Sequence, residues 1–347
     1  MSGPNRIKQY SIEGLRSLLL EWGEPAYRAN QLLHWLYAAA VSSYQEMSDL
    51  PFSLRLRLEK EAPLITPQVL DRRLSADGSL KYLLELWDGS LIETVAIPSR
   101  NRLSVCFSTQ VGCALGCAFC TTGIGGLVRS LDPGEMVDQL LVVSRDLDRR
   151  VDNAVAMGEG EPFANYEAAL SALRIMNAST ALGIGARHLT VSTCGLIKQI
   201  ERFAQEPEQF TLAVSLHSAV QSTRDLLMPS LCNQPLDRLR DSLLLYAEIT
   251  GRRPSLEVTL MDSVNDTPKE VSALLAFSRG LLCHVNLIPF NKGRSPDADL
   301  GFKPSSPIRF QEIAAILQDA GIACSVRRSR GSDIQGACGQ LKGALYR

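Results

Sequence analysis

The sequence predicts an α/β protein: an open, partial (β/α)6 barrel, preceded by a small helical domain and followed by a short tail. Two observations lead there. From about residue 102, short β-rich runs alternate with helical segments, which indicates parallel pairing through right-handed crossovers. The alternation yields six strand–helix units, fewer than the eight of a closed barrel. Ahead of it, the first sixty or so residues carry helical rather than strand periodicity.

In chain order, "SIEGLRSLLLEWG" offers Ser11 as an N-cap and Leu15, Leu18 and Leu19 at helical spacing. "RANQLLHWLYAA" and "SLRLRLEKEA" continue the pattern, and Pro51, Pro63 and Pro67 punctuate it. "LKYLLELWDGSLIETVAIP" reads as a hairpin turning at Asp88–Gly89. The barrel strands are "LSVCFS", "NAVAMG", "HLTVST", "FTLAVSLH", "SLEVTLM" and "HVNLIPF". The helices between them include "DPGEMVDQLLVVSRDL", "NYEAALSALRIMN", "PLDRLRDSLLLYAEIT" and "TPKEVSALLAFSRG". After a last helix, "PIRFQEIAAILQDAG", "ACSVRRS" is a candidate for one more strand. The expected division is a helical accessory domain at 1–66, a strand-rich connecting segment at 67–98, the barrel at 99–330 and a tail at 331–347.

Composition narrows the class. The 347 residues are 45% hydrophobic and 21% charged, which suits a globular protein with a sizeable core. No apolar run approaches the ~18 residues of a membrane span, and the start "MSGPNRIKQYSIEG" is too polar for a signal peptide. A cytoplasmic location, away from membranes, is expected. Nine cysteines in a chain this long do not make a disulfide scaffold; in a reducing compartment, clustered cysteines bind metal or react. The net charge of −1 gives no hint of nucleic acid, so any RNA contact needs a local basic patch. Candidates are Arg72, Arg73 and Lys81, or Arg327, Arg328 and Arg330, although each cluster reads first as solvated turns and strand ends.

Parallel α/β barrels place their active sites at the carboxyl ends of the strands. Here those ends carry Cys113-x3-Cys117-x2-Cys120, then "MGEGEPF", "STCG", "SLH" and, after the sixth strand, "LIPFN". Gly, Ser and Asn are ordinary loop residues, and no single loop carries weight; beside the cysteine triplet they mark one rim. Three close thiolates hold zinc or an iron–sulfur cluster. Structural zinc wants four ligands, usually as two pairs, and no second pair is evident. A [4Fe–4S] cluster normally takes four cysteines, so three leave one iron open to chelate the amino and carboxylate groups of S-adenosylmethionine (SAM). Electron transfer into the sulfonium then releases a 5′-deoxyadenosyl radical, and this cysteine spacing after the first strand of a partial barrel is the radical-SAM signature. Gly160 lets backbone approach the methionyl amine, and Glu161 offers it an acceptor. Ser192, Ser215 and His217 are candidates for carboxylate or ribose, and Asn291 for the adenine edge. Alone, His217 reads as a satisfied strand-end histidine.

Cys194, Cys232, Cys283 and Cys324 have no partner pattern and read as packing residues. Spacing alone tilts Cys106 and Cys338 narrowly the same way. Glu93 shares a strand face with Leu91, Val95 and Ile97, so it needs a specific partner or a raised pKa, unless an edge position lets it reach water.

Taken together, "IETV", "CFSTQVGCALGCAFC", "GEP", "STCG", "SLH", "NLIPFN" and "RGSDIQGACGQL" make nearly the whole chain resemble the RlmN/Cfr family of radical-SAM RNA adenine methyltransferases. The resemblance implies one [4Fe–4S] cluster on Cys113, Cys117 and Cys120. It implies SAM held by Gly160, Glu161, Ser192, Ser215, Leu216, His217 and Asn291, with two SAM molecules used per turnover. It further implies that Cys338 is methylated by one SAM, and that a radical from the second takes a hydrogen from that methyl group. The methylene radical then adds to an adenine ring carbon. Cys106 helps release the product, leaving a transient disulfide with Cys338, and Glu93 is the proton acceptor. C2 and C8 of adenine are poor nucleophiles, which is why a radical route is needed. The implied partners are 23S ribosomal RNA, with transfer RNA as a second candidate, and an electron-donating flavodoxin or ferredoxin system; C2 is favoured over C8. The chain departs from the pattern where "MGMGEP" reads "MGEGEP", adding Glu159, where "STSG" reads "STCG", and in length near "PFNKGRSPDADLGFK". An iron–sulfur redox protein without methyltransferase activity is the alternative, and it leaves the SAM-type loops and Cys338 unused.

Overall fold

The computed structural model describes residues 5–292 and 301–341. The outer ends of the two terminal assignments, 1–4 and 342–347, and the middle of "PFNKGRSPDADLGFK", 293–300, lie outside the described residues. Ser11 caps the first helix as its sequence suggests, its hydroxyl accepting from Gly14 N at 2.9 Å. That helix is α1 (Ile12–Glu21); α2 (Arg28–Leu33), which runs on into a π-helical turn, and α3 (Phe52–Glu61) complete a helical layer. Its apolar positions, among them Leu15, Leu19, Leu32, Leu33, Leu54 and Leu58, are buried.

A short 3-10 turn at Ile7–Gln9 fastens this layer to α4 (Pro133–Leu147). Lys8 Nζ lies 2.5 Å from Asp138 Oδ1, and both residues are buried. Gly134 permits the approach, because a Cβ there would stand 2.4 Å from Lys8 Cβ.

Strands β1 (Gln68–Leu74), β2 (Leu80–Glu85) and β3 (Leu91–Pro98) form an antiparallel meander, with its second turn at Asp88–Gly89 as predicted. Residues 67–98 do more than connect, because β3 pairs antiparallel with β4 (Leu103–Cys106) and joins the meander to the main sheet. β5 (Gln110–Gly112) and β6 (Leu127–Ser130) pair separately beside the cysteine loop.

Beyond α4 the chain alternates: β7 (Asn153–Ala156), α5 (Tyr166–Asn177), β8 (Leu189–Thr193), α6 (Ile197–Phe203), β9 (Thr211–Ser215), α7 (Gln221–Leu227) and α8 (Leu236–Thr250). It continues with β10 (Ser255–Leu260), α9 (Pro268–Ser278), β11 (His284–Pro289), α10 (Pro307–Asp319) and β12 (Ala323–Val326). The sheet order is β1-β2-β3-β4-β7-β8-β9-β10-β11-β12, parallel from β4 onward. "ACSVRRS" therefore supplies a seventh parallel strand. Among the described residues the order is linear, so the barrel is open. Helices α6 and α7, seven residues each, escape sequence reading because two turns are too few to display a period. No helix among the described residues is long and apolar enough to cross a membrane.

The Lys8–Asp138 pair generates a prediction. Removing one member of a buried pair leaves an uncompensated charge, at a cost of roughly 3–5 kcal/mol. Lys8→Met is expected to lower the thermal midpoint clearly, and Lys8→Met with Asp138→Leu to recover much of the loss, as measured by calorimetry.

Candidate active site

The carboxyl ends of the parallel strands open onto a cavity of about 160 Å³. Its walls bring together ten of the residues singled out in the sequence: Cys113, Cys117, Cys120, Gly160, Glu161, Ser192, Ser215, His217, Asn291 and Cys338. Leu216 is not among them; its side chain is fully buried in the core. What Leu216 presents is backbone: its N–H donates to Glu257 O at 3.0 Å and its carbonyl accepts from Arg224.

The cysteine loop is tied down by main-chain bonds: Cys113 N to Gly126 O at 3.0 Å, Ala118 N to Leu227 O at 2.9 Å and Cys120 N to Cys117 O at 3.0 Å. Burial pushes all three thiols above their ordinary values, Cys113 to about 11, and the thiols of Cys113 and Cys117 are raised further by their cysteine neighbours. Among the described residues no three side chains already stand at metal-ligating geometry. The donor set nonetheless fits an iron–sulfur cluster: three soft ligands face one cavity, and metal binding would displace their protons.

Around them, Gly160 has φ +99°, and a Cβ on it would lie 2.5 Å from Gln110 Cβ; only glycine suits this turn. Glu161 is buried, which pushes its pKa up, while its carboxylate accepts from Phe163 N at 2.9 Å and Cys194 N at 2.7 Å. The side chains of Thr193 and Cys194 bond to it as well. His217 Nδ1 accepts from Thr259 N at 3.1 Å, which assigns the ring proton to Nε2. Burial, with the Arg224 guanidinium nearby, lowers its pKa to about 3, so the ring is a neutral donor at pH 7. His217 is thus both a satisfied strand-end histidine and a wall of the cavity. Asn291 Nδ2 donates to Pro289 O at 3.2 Å, which sets the direction of its amide.

Several residues were missed by sequence reading. Fully buried Arg224 donates to Ser215 O at 3.0 Å, Leu216 O at 2.5 Å and Cys194 O at 2.5 Å, stapling the loops after β8 and β9 together. Nothing in "QSTRDLL" sets this arginine apart from the others. Cys194 is more than a packing residue: it lines the cavity, its thiol bonds to Glu161, and it feels Cys117. Glu257 and Thr259, on β10, line the cavity too; the signal for them was strand alternation ending at a barrel rim.

The edge reading of Glu93 fails, because β3 lies between β2 and β4 and Glu93 is 0% exposed. Its carboxylate meets Lys81 Nζ at 2.7 Å. Lys81 therefore belongs to no RNA-binding patch, and Arg72 and Arg73 pair with Asp146 and Asp71, each at 2.7 Å. Glu159 is buried and turns toward the sheet, its Oε1 accepting from Glu93 N at 2.8 Å. Cys106 and Cys338 are free thiols, both pushed up by burial, Cys106 also by Cys338 itself. Cys338 is open to the cavity although ringed by protein. Arg327, Arg328 and Arg330 are exposed.

An open parallel α/β sheet with three cysteines and SAM-sized polar loops on one rim defines the radical-SAM class of enzymes. Residues 7–64 match the ribosomal RNA large subunit methyltransferase N-terminal domain, and residues 107–258 match the Radical SAM superfamily. The probable dual-specificity RNA methyltransferase RlmN of Thermoanaerobacter sp. is 40% identical over 337 residues, covering 97% of each chain. Its counterpart in Synechococcus elongatus is 42% identical over 338 residues, 96% of this chain and 92% of that one. The crystal structure of a radical SAM methyltransferase from Sphaerobacter thermophilus superposes with a TM-score of 0.90 at 41% identity, covering 98% of this chain and 100% of that chain. The chain belongs to the RlmN family of radical-SAM RNA methyltransferases, enzymes that work with a [4Fe–4S] cluster and SAM.

Two predictions follow from the walls of this cavity. Anaerobic reconstitution should load about four irons per chain, and Ala at Cys113, Cys117 or Cys120 should abolish loading, measured by iron analysis and electron paramagnetic resonance. His217, held near 3 when folded against 6.5 as an ordinary histidine, makes the unfolded chain bind the extra proton between those values. Its contribution to stability is intact above pH 6.5 and is lost as pH falls toward 3. In denaturant titrations the wild-type protein should lose more stability than His217→Gln over that window.

Proposed function

We propose that the enzyme methylates C2 of an adenine in 23S ribosomal RNA through a methyl group carried on Cys338. The carrying observation is the position of Cys338: it shares one cavity with Cys113, Cys117 and Cys120, and it neighbours Cys106 closely enough to raise its thiol. The cluster held by the three cysteines supplies, with SAM bound, a 5′-deoxyadenosyl radical. Glu161 takes the methionyl ammonium; Ser192, Ser215 and the Nε2–H of His217 orient the carboxylate and ribose, Asn291 receives the adenine edge, and the backbone of Gly160 and Leu216 shapes the bed. Cys338 accepts a methyl group from a first SAM, and a second SAM is consumed in activating it. The carbon on Cys338 bonds to the adenine ring, and Glu93 receives the proton that the ring carbon must lose. Cys106, as its thiolate, then attacks the sulfur of Cys338: the S–C electron pair goes to the transferred carbon, which takes a proton to become the methyl group, the adduct's unpaired electron passes back to the electron-donating system, and a disulfide joins the two cysteines until it is reduced for the next turnover. In this scheme residues 1–66 are an accessory domain, 99–330 the reaction barrel and 331–347 the tail that presents Cys338.

Relatives described as probable dual-specificity RNA methyltransferases support a second RNA substrate, for which transfer RNA is the candidate. The C2 assignment follows the family's housekeeping activity. A flavodoxin or ferredoxin system suits the electron supply. RNA is held by local charge, since the net charge is −1, and the exposed Arg327, Arg328 and Arg330 stand where the last strand meets the tail. The target base must leave its stack to reach Cys338, which favours loops over duplexes.

Cys338→Ala should eliminate both the protein-bound methyl group and RNA methylation while SAM cleavage continues. Cys106→Ala should trap a covalent protein–RNA adduct, and normal turnover by that variant would refute its role. Replacing Arg327, Arg328 and Arg330 together should weaken RNA binding and flatten its salt dependence. Nucleoside mass spectrometry on rRNA fragments, transfer RNA and free adenosine tests the substrate: equal turnover on free adenosine overturns it, and 8-methyladenosine as sole product overturns the choice of carbon.

A further inference from the structure

The β2–β3–β4 register places Lys81, Val95 and Cys106 in one row across three strands, since Lys81 pairs with Val95 and Val95 pairs with Cys106. Paired residues project to the same face, and Glu93, two positions from Val95, shares it. The loop that carries Cys338 packs on this face; a Cβ on Gly336 would lie 3.5 Å from Val95 Cγ2. Lys81 stands between the two. Its ammonium is 2.7 Å from Glu93 Oε1 and donates to Gln335 O at 3.2 Å, and both side chains are buried.

We infer that Lys81 is a positioning residue that couples the Glu93 carboxylate to the Cys338 loop, so that the proton acceptor is aimed while the methyl-bearing loop is docked. The inference rests on the roles given above to Glu93 and Cys338. A buried ion pair is a costly way to stabilise a sheet, since apolar residues of similar volume do as well or better. This one also spends a donor on the carbonyl of Gln335, a non-glycine residue at φ +56°, a conformation that persists only where its surroundings hold it. The second carboxylate, Glu159, fixes the Glu93 backbone from the other side. Glu93 is thereby held at main chain and side chain, with its counter-charge shared with the loop. In the reaction the ring carbon gives its proton to Glu93, the C–H electron pair remaining in the ring.

The loop has other tethers: Asp333 accepts from Ser75 Oγ at 2.6 Å and Ala76 N at 3.0 Å, Gly331 N donates to Asp77 at 2.9 Å, and Gly339 O accepts from Thr121 N at 2.8 Å. Removing Lys81 should therefore leave Cys338 able to accept its methyl group and impair the later proton transfer. The test is a single-turnover reaction of reconstituted full-length enzyme with an rRNA fragment, using Lys81→Met, Lys81→Arg, Glu93→Gln and wild type. Cys338 methylation is read by protein mass, the covalent adduct on denaturing gels, and methyladenosine by nucleoside mass spectrometry. Lys81→Met should methylate Cys338 normally but accumulate adduct and slow product release by roughly tenfold or more, within the range a misplaced acid–base group commands. Lys81→Arg, which keeps the charge, should restore release. If Lys81→Met does not fold, Lys81→Gln is expected to give the same pattern. Wild-type product release by the Met or Gln variant, loss of Cys338 methylation without adduct, or failure of Arg to restore release would each overturn the inference. Normal turnover by Glu93→Gln would instead remove the proton-acceptor reading on which it stands.

Discussion

The docking of the 331–341 loop is the constraint on which the site depends. One flank of the loop is bonded to the β1–β2 turn and Lys81, the other to the cysteine loop, where Thr122 Oγ1 also donates to Leu341 O at 2.8 Å. Four of these six bonds use the loop's own main chain, at Gly331, Gln335, Gly339 and Leu341, and the other two use the Asp333 carboxylate, so the path of the loop is fixed largely apart from its side chains. Cys338 is thereby presented to the shared cavity. The methyl carrier proposed for Cys338 must reach both reactants, and this stitching would give it that reach without a long mobile arm.

The interior is polar where the site requires it and nowhere cheaply so. Arg224, Glu93, Glu159, Glu161, Lys81 and His217 are all buried, each with hydrogen-bonding or ionic partners. Buried polar groups stabilise a fold weakly at best, but when satisfied they specify a single arrangement. Here they hold three loops in register: Arg224 joins those after β8 and β9, and Glu161 joins the loop after β7 to Cys194. The neutral ring of His217 belongs to the same design, since a second positive charge beside Arg224 would be repelled.

The substitution of Glu159 into the "MGEGEP" loop has a structural consequence. A carboxylate now sits on the Glu93 N–H, on the sheet side of the loop, while the neighbouring Gly158, Gly160 and Glu161 face the cavity. Of residues 156–161 Glu159 alone is not a wall of the cavity, so its carboxylate supports Glu93 without altering that wall.

Much of the molecule was legible along the chain. The βα alternation, the Ser11 cap, the Asp88–Gly89 turn and the cysteine triplet are local signals, set by periodicity and spacing within a few residues, and they determined the class of fold and the place of the site. Motifs at strand ends identified nine cavity residues for the same reason: in a parallel sheet every carboxyl end arrives on one rim; the tenth, Cys338, came from the tail motif of the resemblance. What only the tertiary structure decided are pairings between distant segments. Lys81 read as a surface cation until the β2–β3 register placed it against Glu93, and Cys194 read as packing until the loop after β7 brought Glu161 to it. Arg224 resembled any helical arginine until three carbonyls from separate loops converged on it. Register and loop docking are set by the summed burial of the whole sheet, and no short window of sequence carries that sum.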